Sequence, residues 1–172
     1  MKYFTSDTHF GDERLDLFHR DLIGLNTKQI DLLIYTNLSK LNPMDTLYHI
    51  GDVSLSNEGY EFIKRLNFKK ILIKGNYDEK VDDSLLKEVF DEVYDELIID
   101  IDGIDFYLNH YPKNKKDDMF NLTGHIHGLW KVQRNSINVG CDAWHMQPIS
   151  EKKILFTRNA ILNHYDENVF LD

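Results

Sequence analysis

A chain of 172 residues with 42 % hydrophobic and 12 % aromatic side chains has enough apolar material for one packed domain over 1–172, which excludes disorder as its dominant state. A formal net charge of −9 excludes a plain nucleic-acid coat, because phosphate backbones are held by clustered Lys and Arg. It does not exclude chemistry on a phosphate, since bound divalent cations would reverse the local field.

In chain order, Tyr3-Phe4-Thr5 reads as a short strand that stops at polar Ser6-Asp7-Thr8-His9. Asn26 and Gln29 predict a capped helix carrying Ile30, Leu33, Ile34, Leu38 and Leu41. A strand over Thr46–Ile50 ends at Gly51-Asp52, and a helix capped by Ser56 follows with Phe62, Ile63 and Leu66. Lys70–Lys74 reads as a strand ending at Gly75-Asn76-Tyr77-Asp78, and Asp82 caps a helix bearing Leu85, Leu86, Val89 and Phe90. Asp102-Gly103 between Leu97–Ile101 and Ile104–Leu108 is a hairpin signal. Short strands are expected near Phe120–Thr123 and Ser136–Val139. Pro148-Ile149-Ser150 is expected to open a last helix carrying Ile154, Leu155, Ile161 and Leu162. Strands alternating with helices, then a run of strands, predict an α/β (α+β) sandwich with mixed sheets flanked by helices.

The polar residues that matter lie just past strand ends. Asp7-x-His9 alone reads as easily as a cap or turn, Gly51-Asp52 is common in turns, and His110 before Tyr111-Pro112 fits a strand end. Gly124-His125-Ile126-His127 is more specific, because imidazoles two residues apart share one side of an extended segment. Together they form a coherent donor set of imidazole nitrogens with carboxylate and amide oxygens and no thiolate. That set suits Mn, Fe, Zn, Co or Ni. The edge past the strand ends is where ligand sites assemble in helix-flanked sheets.

In this order, Asp7-x-His9, Gly51-Asp52, Gly75-Asn76-Tyr77-Asp78, His110 and Gly124-His125-x-His127 resemble the signature of the calcineurin-like metallophosphoesterase family. The stretches Tyr3–Phe10, Asn138–Trp144 and Pro148–Ser150 resemble its small single-domain bacterial and phage branch. The resemblance implies a two-sheet β-sandwich flanked by helices and two divalent ions, manganese being the ion expected to serve in vitro. It implies Asp7, His9 and His127 on one ion, Asn76, His110 and His125 on the other, and Asp52 between them. It implies hydrolysis of a phosphate mono- or diester, including nucleotide-type substrates, by water or hydroxide held between the ions, with Asp52, Asn76, Tyr77 and Asp78 at the reaction centre.

Two positions depart from that pattern. The third motif usually carries histidine where this chain has Tyr77, and the branch often has another histidine where this chain has Asp12. A tyrosine ordinarily titrates near roughly 10, against about 6.5 for histidine, so it donates a hydrogen bond but is not a cation. Three readings stay open: Tyr77 donates a proton or hydrogen bond in the histidine's place, the substrate has a leaving group that needs little protonation, or the site binds metals and turns over poorly. The working expectation is better turnover of good leaving groups than of alkyl phosphates. A different class of function, a binding scaffold on the same fold, is separated by the ligand set, since a scaffold has no need of all seven ligands.

Elsewhere, His49 inside a strand is expected to pack or to support a ligand, and Trp144 and His145 to pack, with lining of the substrate pocket as the alternative. Arg14, Arg20 and Arg134 are phosphate candidates whose default is a solvated arginine, and Lys113–Lys116 reads as a solvated loop. His19 and His164 have no evident role. Cys141 is the only cysteine, so no internal disulfide forms, and a cytoplasmic chain without a membrane partner is expected. Neither stable nucleic-acid binding nor a particular oligomeric state is predicted.

Overall fold

The computed structural model describes residues 1–164 of the chain. The single-domain expectation extends to residue 172, and its last eight residues lie outside the described ones. Two five-stranded mixed sheets pack face to face. The first contains β1 (Lys2–Thr5), β2 (Thr46–His49), β3 (Lys69–Ile73) and β4 (Glu92–Tyr94), all parallel, and places the antiparallel β10 (Ile149–Ser150) beside β1. The second contains β5 (Glu96–Ile101), β6 (Ile104–Asn109), β7 (Phe120–Thr123), β8 (Val132–Gln133) and β9 (Ser136–Asn138), in the order β5-β6-β7-β9-β8.

The strands of the first sheet are buried on both faces, as parallel strands generally are. Tyr48, Ile71 and Ile73 face the second sheet and meet Ile99, Phe106, Leu108, Leu122 and Ile137 there. Leu47 and Leu72 point the other way, onto α1 (Thr27–Leu38), α2 (Asn57–Lys64) and α3 (Asp83–Val89) through Ile30, Ile34, Tyr60, Ile63 and Leu86. The three helices start where their caps predict. Asn26 and Gln29 form a reciprocal capping box, Ser56 accepts from the Gly59 amide, and Asp82 accepts from the Ser84 amide. Asp102 and Gly103 both adopt positive φ, 57° and 79°, which matches the right-handed twist of a two-residue hairpin joining β5 and β6.

The C-terminal end differs from expectation. Ser150 caps the last helix, its Oγ accepting from the Lys153 amide at 3.3 Å, but the Ile149-Ser150 backbone is an extended strand. It pairs with Phe4 and Tyr3 as β10, because the otherwise bare edge of β1 offers hydrogen bonds and a buried slot for Ile149. The helix α4 begins at Glu151 and ends at His164; Ile154 and Ile161, two turns apart, are buried, whereas Leu162 lies a further 100° round the helix and is exposed. The strand β4 has no alternating apolar pattern and is set by its pairing with β3. No described helix is long and apolar enough to cross a membrane.

Candidate metal centre

The loops that follow β1, β2, β3, β6 and β7 meet at one edge of the two sheets, and they carry all seven residues of the predicted donor set. Backbone hydrogen bonds clip them together. Asp7 N donates to Gly51 O at 2.9 Å, His9 N to Asp52 O at 3.2 Å, and Gly124 N to His110 O at 3.1 Å. The loop after β7 is tied across the sheets as well, since His125 N donates to the Asp7 carboxylate at 3.0 Å.

The approach is close enough that side chains would obstruct it. A Cβ at Gly75 would strike the Asp52 carboxylate, and one at Gly124 would strike Ser6 Oγ. Nine non-glycine residues adopt positive φ among the described ones, and five of them are Asp7, His9, Asp52, His125 and His127. Left-handed backbone is unfavourable for such residues and concentrates where a structure constrains a functional site.

Two groups of donor atoms result, each within 4.8 Å of one another: Asp7, His9 and His127 in the first, and Asp52, His110 and His125 in the second. Asp52 Oδ2 lies 3.7 Å from His9 Nε2 and 3.4 Å from His110 Nε2, so this carboxylate stands between the groups. Asn76 Oδ1 is buried without a hydrogen-bond partner, and so are both ring nitrogens of His9. Buried polar atoms are seldom left unpaired, and these sit among candidate ligands.

The imidazoles are oriented from behind. The short contact of 2.7 Å between His110 Nδ1 and Ile50 O makes that nitrogen the donor and turns Nε2 toward Asp52. His127 Nδ1 is 2.8 Å from Asp142 Oδ2, which likewise frees its Nε2. Phe18 stacks on both His9 and His127, with ring centroids 4.4 and 4.5 Å apart. Burial pushes the Asp7 carboxyl above its usual range and the His9 imidazole down to about 3. Burial opposes ionisation of Asp52, but the hydrogen bond and charge of His110 outweigh it and hold the carboxyl below its ordinary value. The same pairing overcomes burial at His110 and raises it to about 9.

Asp78 and Tyr77 occupy different places. The buried Asp78 carboxylate accepts from the amides of Asp52, Val53 and Gly75 and from Tyr60 Oη at 2.7, 3.1, 2.9 and 2.6 Å. Its oxygens are committed to holding the loops after β2 and β3 together. Tyr77 N donates to Asp52 Oδ1 at 3.0 Å, and its ring meets His9 edge-on at 4.5 Å. His49 is buried with Nε2 3.0 Å from Thr8 Oγ1, a supporting position behind the loop after β1.

Two participants were not read from the sequence. Arg20 is not solvated: it is 2 % exposed, and its guanidinium donates to the carbonyls of Asp7 and Thr8 and to both oxygens of Asp142. The single-turn helices Leu15–Phe18 and Arg20–Ile23 fold it back beneath the loop after β1. No local pattern marks a buried arginine. Asp142 lies within Asn138–Trp144, but its contacts with Arg20 and His127 span 122 and 15 residues. His19 lines a cavity of about 260 Å³ with His125 and His127. Trp144 and His145 line a separate cavity that contains none of the seven.

The paired mixed sheets with flanking helices match calcineurin-like phosphoesterase folds. The chain belongs to the same family as the Aquifex aeolicus protein AQ665, itself of unknown function. The two are 33 % identical over 91 % of this chain and 98 % of that one, with a TM-score of 0.75. The Pseudomonas putida nuclease MPE shares the fold at 20 % identity and a TM-score of 0.51, over 73 % of this chain and 61 % of that one. The Escherichia coli phosphoesterase YfcE is 14 % identical over 81 % of this chain and 77 % of that one, with a TM-score of 0.45. No protein-family model and no curated protein matches the chain.

Proposed function

We propose that the chain hydrolyses a phosphate mono- or diester, nucleotide-type esters included, with two divalent ions held at the loop edge. The observation that carries this reading is the meeting of two donor groups at one carboxylate, Asp52. Asp7, His9 and His127 would hold one ion, and Asn76, His110 and His125 the other. The donor set fits: it is all nitrogen and oxygen, and it leaves Asn76 Oδ1 and His9 nitrogens buried and unpaired. Mn, Fe, Zn, Co and Ni all suit it. Bound there, the ions would neutralise charge on the phosphoryl oxygens and make water acidic enough to lose a proton near neutral pH.

The protein groups supply placement. Asp78 holds the loops of Asp52 and Asn76 in register, and the Ile50 carbonyl and Asp142 keep His110 and His127 in the tautomer that presents Nε2. Water adds to phosphorus, the ester P–O bond breaks, and the departing alcohol oxygen needs a proton or a hydrogen bond. We assign that role to Tyr77, whose amide donates to Asp52 and whose ring meets His9 edge-on.

Elemental analysis of the purified protein is expected to return two divalent ions per chain after supplementation with Mn. Assays on bis-aryl and mono-aryl phosphates should then show turnover that drops at least about a hundredfold in Asp52→Asn and His125→Ala. Equal rates in wild type and both variants would remove the reading.

A further inference from the structure

Arg14 is half exposed, yet its guanidinium is held in one orientation. Nε donates to Asp12 Oδ1 at 2.9 Å and Nη2 to Asp12 Oδ2 at 2.6 Å, the planar two-point pairing that fixes an arginine fork. The same Nη2 donates to Tyr77 Oη at 3.0 Å, and the cation lies 5.9 Å from the Tyr77 ring centre. Asp12 and Tyr77 therefore meet on one arginine.

The contact constrains Tyr77. A phenol has one proton, and the oxygen here accepts from Arg14, so its own O–H points away from the guanidinium. The backbone of Tyr77 is tied to Asp52, and its ring meets His9 edge-on at 4.5 Å, so the ring borders the candidate ion sites. The Arg14 Nη1 hydrogens have no hydrogen-bond partner among the described residues. Because Asp12 neutralises Arg14, the unit offers oriented donors more than net charge.

We propose that Arg14 binds substrate at this site, its Nη1 gripping a phosphoryl oxygen of the ester while the Tyr77 hydroxyl, oriented by Nη2, meets the ester oxygen that departs, with Asp12 as the positioning residue. The proposal rests on the phosphoesterase reading above. No bond is made or broken in this contact. Orientation is the point, so a lysine, which cannot pair with Asp12 at two points and reach Tyr77 as well, should not replace Arg14.

The test is titration of orthophosphate into the Mn-loaded protein by calorimetry, with Mn content measured on the same samples. Arg14→Ala and Tyr77→Phe are each expected to weaken phosphate binding about tenfold at unchanged Mn content, with Arg14→Lys no better than Arg14→Ala. The double variant should be no weaker than about tenfold, because each partner needs the other. Unchanged affinities would overturn the proposal, as would losses that multiply in the double variant or full rescue by lysine. Mn content that falls with Arg14 would make it a structural support and overturn the clamp. A wild-type protein that takes up no divalent ion would instead defeat the phosphoesterase reading itself.

Discussion

The two donor groups have nearly the same chemistry and different support. The first, Asp7, His9 and His127, has a buried ionic layer behind it: Asp142 accepts from His127 and from Arg20, and Arg20 also binds the carbonyls beneath Asp7 and Thr8. Phe18 covers both imidazoles. The second, Asp52, His110 and His125, is firm at two members and open at the third. His125 is exposed, and its Nδ1 lies 3.2 Å from His110 Nε2. Two imidazole nitrogens at that distance repel unless a proton or an ion lies between them. Ligand identity and ligand preorganisation are thus separate properties, and the first group is expected to fill before the second.

The largest test of that difference removes the buried arginine. Arg20→Met leaves Asp142 buried without its cation and two carbonyls without a donor. A loss of about 3 kcal/mol in folding stability is expected, read by urea denaturation of the ion-free protein. A change under about 0.5 kcal/mol, the scale of an ordinary surface substitution, would show that the first group is not braced as described.

A smaller change separates the groups without unfolding either. Asp142→Asn weakens the partner of His127, where Arg20 and His127 outweigh burial and hold the carboxyl below its ordinary value. Affinity for the first ion is expected to fall roughly 10–100-fold while the second is unchanged, resolved by calorimetric titration with Mn. Equal losses at both sites would erase the distinction.

The smallest effect concerns pH. Asp31 on α1 accepts from the Gly11 amide at 3.0 Å, next to the loop that carries His9, and burial pushes its carboxyl up to about 6. A group whose pKa is raised by folding favours the folded state while protonated, and that contribution is lost as pH rises from about 4 through about 6. Asp31→Asn should therefore gain about 1 kcal/mol at pH 7, after allowance for solvent screening, and nothing near pH 4. Thermal denaturation at the two pH values reads the difference; a gain that persists at pH 4 would assign it to another cause.

Much of this was legible in the chain itself. Helix starts at Asn26, Ser56 and Asp82 and the Asp102-Gly103 hairpin depend on contacts a few residues apart, and short-range contacts leave short-range patterns. The seven candidate donors could be named because each follows a strand end, a local feature, and because their order resembles a family; six of them fall into the two donor groups. The pairing of Ile149-Ser150 with β1 was not legible, since a bare strand edge exists only once the sheet is assembled. Neither was the buried Arg20, whose partners come from both ends of the chain, nor the Arg14 bridge from Asp12 to Tyr77. Residue types and their order were enough to say which chemistry the chain could hold. Which groups stand behind that chemistry was decided by packing, because burial and long-range hydrogen bonding depend on neighbours that no segment carries with it.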